Sequence, residues 1–392
     1  MPAVQVKPSV QALLGQLKGW REWVAPGSHQ VLHALEQCRT ALLGYHVYRC
    51  TGSECGQVHY QYHSCRNRHC PHCGSTKKEE WIESRLRELL PVKYYHVVFT
   101  LPHQLNSLVM GNRRELFNLL FEAATYTLLT FGRDGQYLGA QVGILSVLHT
   151  WGQQLCFHPH VHCIVSGGGM DSKGKWKEAL KVKHGILFPV KALRVVYRTY
   201  FLQHLQKLLD AGKVKLSEQQ AREWPHLRSE LYNQQWIVYA KQPFGGPQQV
   251  VEYLGRYTHK VAICNHRIQA IDAQGNVTFQ YKDYSDGSKK KWMTLEGKEF
   301  LRRFEQHILP KGFVKIRSYG YLGNYQRKQR VNQLLNTMNK PQHAEVVNVP
   351  VAVRMLEKYG KDITLCPCCQ KAKLELLYVR QAKTAHRQVL KE

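Results

Sequence analysis

The sequence predicts an α+β protein, with helices packed on antiparallel strands and a cysteine-rich module near its N-terminus. Three observations carry that reading. Two β-branched runs, at about 140–149 and 156–166, flank Trp151-Gly-Gln-Gln154, a spacing that folds back as a hairpin. Residues 112–131 repeat Leu116, Leu119, Leu120, Ala123 and Leu128 at helical spacing, the pattern of a helix laid on a sheet. Five cysteines, Cys50, Cys55, Cys65, Cys70 and Cys73, crowd into one short stretch.

Taken in order, residues 28–45 read as an amphipathic helix through Val31, Leu32, Leu35 and Leu42. The cysteine stretch follows. Cys50-x4-Cys55 and Cys70-Pro-His-Cys73 form two close pairs around a possible hairpin containing Tyr60 and Tyr62. Four thiolates in two knuckles suit tetrahedral Zn²⁺, with Cys65, His69 and His72 as further candidate ligands. Arg66, Arg68, Lys77 and Lys78 around it are either contacts to DNA phosphates or a solvated face. A helix is expected over 76–90, then a strand at Tyr94-Tyr-His-Val-Val-Phe-Thr-Leu101, stopped by Pro102.

The strand at 156–166 carries His158-Pro-His-Val-His162. Side chains alternate along a strand, so His160 and His162 share a face while Val161 points the other way into the core. Such a pair can grip one metal ion. Hairpin pairing across Trp151-Gly-Gln-Gln154 brings His149 close to His160 and makes it the first candidate for a third ligand, with Gln153 as the alternative. Residues 188–232 read as helical and 236–240 as a strand. Pro247 then suits the first turn of a helix holding Tyr253 and Tyr257, whose i, i+4 spacing stacks two phenols on one face. A metal that polarises a phosphate, opposite a tyrosine that attacks it, is the equipment of a DNA nuclease. A buried aromatic pair is the plainer reading of the tyrosines alone.

Val277–Tyr284 and Lys289–Met293 flank an Asp-Gly turn and form a second hairpin. Lys289, Lys290 and Lys291 either follow a DNA backbone or protect a sheet edge. Between 311 and 330, Lys315, Arg317, Tyr319, Tyr325 and Arg327 interleave rings with cations, as binders of single strands require; the plainer account puts half of the rings in the core. Cys366-Pro-Cys-Cys369 is a lone knuckle that borrows ligands elsewhere or binds nothing. Cys38, Cys156, Cys163 and Cys264 are isolated and read as small buried hydrophobes.

Composition narrows the partners. The chain has 392 residues, and 55 Lys plus Arg against 28 Asp plus Glu give a formal charge of +27. That excess attracts a polyanion, and phosphate neutralisation drives most non-specific binding to nucleic acid. No run of 18 apolar residues appears, which argues against a membrane. Met1-Pro-Ala-Val-Gln-Val-Lys lacks the apolar core of a signal peptide, so the expected location is the cytoplasm, at the nucleoid of a bacterium, where cysteines stay reduced and suit metal better than disulfides.

Together these residues resemble the two-tyrosine rolling-circle transposases of bacterial insertion sequences, the IS91 type, within the wider HUH (His-hydrophobic-His) endonucleases. The likeness runs in order through Ser64-Cys-Arg-Asn-Arg-His-Cys-Pro-His-Cys73, Leu148-His-Thr-Trp-Gly-Gln153 and His158–Gly169. It continues through Tyr253-Leu-Gly-Arg-Tyr-Thr-His-Lys260, Asn265-His-Arg267, Leu309-Pro-Lys-Gly-Phe313 and Ile316-Arg-Ser-Tyr-Gly320. It implies a central antiparallel sheet flanked by helices, the HUH endonuclease domain, with the zinc module in front. It also implies three regions: a helical zinc-binding, DNA-contacting domain over 1–90; a nuclease domain over 91–330 with a helical insertion at about 185–235; and a basic tail with a cysteine knuckle over 331–392.

By the same resemblance His160 and His162 are the metal pair, Tyr253 and Tyr257 the nucleophiles, and Cys50, Cys55, Cys70 and Cys73 the zinc ligands. Two departures stand out. The first cysteine pair is spaced by four residues where two are more usual, and Gln370 follows the terminal knuckle where a glycine is usual. The implied chemistry is cleavage of single-stranded DNA at element ends, assisted by Mg²⁺ or Mn²⁺, through a 5′-phosphotyrosine that a later 3′-OH rejoins to target DNA. Lys260, His259 or the metal could help activate the phenol, and the sequence does not choose among them. No G-x-x-x-x-G-K-[ST] signature is present, so strand separation falls to a host helicase. Rival readings are a replication initiator or relaxase, a non-catalytic zinc-dependent DNA-binding protein, and a zinc hydrolase built on His158, His160 and His162. Oligomeric state does not follow from the sequence.

Overall fold

The computed structural model describes residues 7–73, 82, 84–180, 182, 185–244, 248–250, 255, 262–343 and 349–382. Helices α1 (Val10–Gln16) and α2 (Pro26–Glu36) lead into strands β1 (Gly44–Cys50) and β2 (Val58–Tyr62). The helix expected over 28–45 therefore ends early. Its apolar face stops at Leu35, and the chain turns at Arg39, whose φ is +58°, before entering β1.

Strand β3 (Tyr94–Thr100) precedes helices α3 (Asn106–Gly111) and α4 (Arg113–Arg133). The predicted hairpin follows as β4 (Gln141–Trp151) and β5 (Phe157–Met170), with the short β6 (Trp176–Glu178). Helices α5 (Val190–Asp210) and α6 (Glu218–Asn233) lie between β6 and the next strand, and β7 (Val238–Phe244) returns to the sheet. Ser217 starts α6 with a reciprocal capping box to Gln220, which satisfies two otherwise unpaired donors. Beyond these lie β8 (Ile268–Ile271), β9 (Val277–Asp283), β10 (Lys289–Leu295), α7 (Gly297–Glu305), β11 (Ile316–Gly320), α8 (Arg327–Thr337), α9 (Val351–Tyr359) and β12 (Leu374–Gln381).

The central sheet runs β11-β4-β5-β3-β7, with β6 on the end of β5, and every pairing in it is antiparallel. Its two faces differ. Val97, Phe99, Val142, Ile144, Leu148, Val161, Cys163 and Val165 pack beneath α4 and α5 in the largest core. Tyr94, Leu145, Val147 and Ile164 line the opposite face, with Val250, Tyr321 and Leu334 over them. Gly169 lets β5 approach β4 closely: a Cβ there would lie 2.7 Å from the Gln141 backbone. Among the described residues, no helix is long and apolar enough to cross a membrane.

The N-terminal helices do not stand apart. Leu13, Leu14, Leu32 and Leu35 share a core with Ile263, Phe279, Phe300 and Phe304, so α1 and α2 pack on the β8-β9-β10 meander and α7. Nor is 331–392 a simple tail. Strand β12 pairs antiparallel with β1 to make a three-stranded sheet, β12-β1-β2, and α8 packs on the central sheet. The sequence order of the segments is thus not their order in space.

Candidate metal centres and nucleic-acid interface

The hairpin sets the first centre. Register places His149 directly opposite His160, and Val98 opposite His162. The alternation that sends Leu148 and Val161 into the large core leaves His149, His160 and His162 together on the other face. One ligand nitrogen from each of the three lies within 4.8 Å of the other two. Trp151 stacks on His149 with ring centroids 4.8 Å apart and fixes that ring's plane.

Hydrogen bonds assign the nitrogens. His160 Nδ1 lies 2.6 Å from the His158 carbonyl, which can only accept, so Nδ1 carries the proton and Nε2 keeps its lone pair. That Nε2 is 3.1 Å from Nε2 of His162, whose Nδ1 is in turn 2.8 Å from Nε2 of His96. His96, from β3, therefore stands behind His162 as the outer partner that orients a ligating imidazole. Two ring nitrogens 3.1 Å apart need a proton or a cation between them. Ligands about 2.1 Å from one ion and at a right angle would sit about 3 Å apart, so the donor set fits a metal.

Burial favours neutral rings. It holds His160 well below the ordinary histidine value, with the neighbouring His162 and His158 adding to the effect. Burial likewise takes His162 down to about 3, helped by His96 and Lys241, and His96 to about 3. His160, His162 and His96 are thus uncharged at neutral pH, the form of imidazole that binds metal. Gln153, the alternative third ligand, donates from its amide to the Tyr284 hydroxyl at 3.3 Å.

The cysteines correct the expected zinc site. Cys50, Cys55, Cys70 and Cys73 do not form one centre; they divide between two. Cys70 and Cys73 join Cys38 and Cys65, while Cys50 and Cys55 join Cys366 and Cys369. In the first set Sγ atoms are 3.5 Å apart for Cys38–Cys73 and Cys38–Cys70, and 3.7 Å for Cys65–Cys73. Cys38, read as a lone hydrophobe, is thus a thiol of the first set. The turn after α2 delivers it, and nothing in sequence spacing marks it. Cys163 is buried as expected, whereas Cys156 is exposed.

The cation–aromatic stretch at 311–330 is largely structural. Phe313 and Tyr321 are core residues. Arg317 bonds Asn118 and lies over the rings of Phe121 and Phe313, and Tyr319 packs against the large core. Lys315 is pushed down to about 8 by burial, helped by nearby Arg68. Arg68 itself is exposed but donates to the carbonyls of Phe313 and Pro310, fastening the cysteine module to the segment that leads into β11. Arg327 pairs with Glu88 at 2.8 Å. Of the cations expected to meet DNA, those exposed among the described residues are Arg66, Arg68, and Lys289 and Lys290 on β10, with Lys289 2.9 Å from Asp286. Tyr253, Tyr257, His259, Lys260, Lys77 and Lys78 lie outside the described residues.

An antiparallel sheet that presents three histidines, with two tetrathiol clusters beside it on a chain of charge +27, defines a metal-binding class of protein suited to a polyanion. Comparison with known proteins makes the class specific. Residues 143–330 match the two-tyrosine family model described as "Putative transposase", and residues 13–101 match the "Transposase zinc-binding domain" of the IS91 type. The chain is 41% identical over 363 residues to "Putative transposase y4qJ" of Sinorhizobium fredii, covering 90% of this chain and 89% of that one. It is 33% identical over 294 residues to the transposase for insertion sequence element IS801 of Pseudomonas savastanoi pv. phaseolicola, covering 73% and 68%. No solved structure matches. The chain belongs to the IS91-type transposases, and structural zinc is part of its make-up.

Proposed function

We propose that this transposase cuts and rejoins single-stranded DNA at the ends of its element through a 5′-phosphotyrosine. The observation that carries the reading is the convergence of His149, His160 and His162 on one sheet face. Val250 packs on that same face, immediately before the segment that holds Tyr253 and Tyr257. Ala262, where the described chain resumes, lines a small cavity with Trp151, the residue stacked on His149.

In this reading the three histidines hold Mg²⁺ or Mn²⁺, which supplies Lewis-acid stabilisation to the scissile phosphate. One tyrosine oxygen attacks the phosphorus, the bond to the 3′ oxygen breaks, and that oxygen leaves as a 3′-OH. The phenol, with an ordinary pKa near 10, must lose its proton as it attacks. The phosphotyrosine keeps the bond energy, so a later 3′-OH can displace the tyrosine without ATP. Two nucleophiles allow one to hold a strand while the other takes a second. Target DNA accepts the transferred strand, and a host helicase separates the duplex.

Single-strand contact is better supported on the β12-β1-β2 sheet than at 311–330. Cross-strand register puts Tyr45, Tyr62 and Arg380 side by side, and Tyr60 and Tyr378 both flank Val47. Tyr60, Tyr62 and Tyr378 are exposed, and the Arg380 guanidinium lies 5.7 Å from the Tyr45 ring. Rings that stack bases beside a cation that meets phosphate are what unpaired DNA needs.

The test incubates purified protein with Mn²⁺ and labelled single strands tiling the element ends, then scores covalent adducts on denaturing gels. Loss of the adduct in His160→Ala, and in Tyr253→Phe or Tyr257→Phe, is the expected result. Strands bound by all variants with neither nick nor adduct in wild type would replace this reading with a binding-only role.

A further inference from the structure

We propose that Cys50, Cys55, Cys366 and Cys369 form a second zinc site, which fastens the C-terminal strand to the N-terminal module and closes the chain on itself. The two family models end before residue 366, so neither covers Cys366 and Cys369, half of this ligand set. The geometry is that of a tetrathiolate. Cys50 Sγ is 3.7 Å from Cys369 Sγ, and Cys55 Sγ is 3.9 Å from Cys366 Sγ, across separations of 319 and 311 residues. Four sulfurs about 2.3 Å from one zinc in a tetrahedron lie about 3.8 Å from each other.

The two knuckles are built alike. The Gly52 N–H points at Cys50 Sγ and the Cys368 N–H at Cys366 Sγ, each at 3.4 Å. Each second cysteine is followed by a left-handed residue, Gly56 at φ +53° and Gln370 at φ +56°. Gln370 thus adopts the conformation a glycine would supply, and the missing glycine does not spoil the turn. His59 Nε2 lies 3.2 Å from Cys366 Sγ, placed to donate to a thiolate.

Packing alone gives the strand little reason to stay. Seven of the eight residues of β12 are exposed. Its ladder to β1 runs from Gly44–Gln381 to Cys50–Leu374 and ends at the thiols. A sheet with so little apolar burial needs a staple, and zinc between thiolates supplies one because its ligands are brought together only in the folded chain.

The experiment treats purified full-length protein with a thiol-specific mercurial and counts the zinc released, which reports thiolate-held metal only. Wild type should release two zinc ions per chain. Cys366→Ser/Cys369→Ser and Cys38→Ser/Cys70→Ser should each release one. One ion from wild type, or two from Cys366→Ser/Cys369→Ser, overturns the proposal. Should the terminal variant release none because it misfolds, disulfide mapping of chelated, mildly oxidised wild type decides. Links joining 50 or 55 to 366 or 369, suppressed by prior zinc, support the site; their absence refutes it.

Discussion

The central sheet and the β12-β1-β2 sheet hold their metal ligands in opposite ways. In the first, His149, His160 and His162 sit on two adjacent strands whose other face is buried under α4 and α5. Apolar packing fixes the strands before any ion arrives, so that site is prepared by its core. In the second, β2 and β12 are mostly exposed, and the thiols come from opposite ends of the chain. There the ion must hold the sheet. On the proposed function and the proposed second zinc site, the difference teaches that one chain can use metal as a reagent where packing is rich and as a fastener where packing is poor.

Removing thiolate-bound zinc should break the comparison most visibly. Hydrogen exchange after chelation should show 44–50 and 374–381 losing protection while 141–151 and 157–170 keep it. Equal loss in both sheets would mean that the central sheet also depends on metal.

Next in size is a contrast between neighbours on β4. Leu148→Ala, which empties part of the large core, should cost about 2–5 kcal/mol in denaturant unfolding. His149→Ala, on the opposite face, should leave stability nearly unchanged and weaken Mn²⁺ binding. Smaller again is His96→Gln. Loss of the partner that orients His162 should weaken Mn²⁺ binding about 10–100-fold by calorimetry with the fold intact.

Acid should act through histidines beside the metal sites. Burial takes His307 down to about 4 and His69 to about 3. His307 Nε2 donates to the Leu155 carbonyl, while His69 Nε2 accepts the Leu309 N–H. The unfolded chain binds these protons first, near pH 6.5, so stability is complete above that pH. It falls as pH drops from 6.5, by about 1.4 kcal/mol per pH unit for each histidine, down to about pH 4 for His307 and about pH 3 for His69. Unfolding of wild type and His307→Asn between pH 7 and 5 should show a shallower slope in the variant. The smallest effect belongs to Gln370→Gly, which removes a left-handed side chain and should add up to about 1 kcal/mol to retention of β12.

Local pattern made much of the histidine hairpin legible. A period of two put His160 and His162 on one face and Val161 in the core, and a short turn placed His149 across from them. The helices at 113–133 and 190–233 and the hairpin at 277–295 were likewise written in periodicity and turn residues, because each is held by contacts close in sequence. Only the tertiary structure decided which thiols meet. Cysteine spacing grouped Cys50 and Cys55 with Cys70 and Cys73, whereas β12 pairing on β1 carries Cys366 and Cys369 to the first pair, and the end of α2 carries Cys38 to the second. It also decided that Lys315 and Arg317 turn inward, since charge read along a chain does not say which side of a strand will be covered. Ligands and cations gathered across hundreds of residues depend on how separate elements pack, and no local pattern records that.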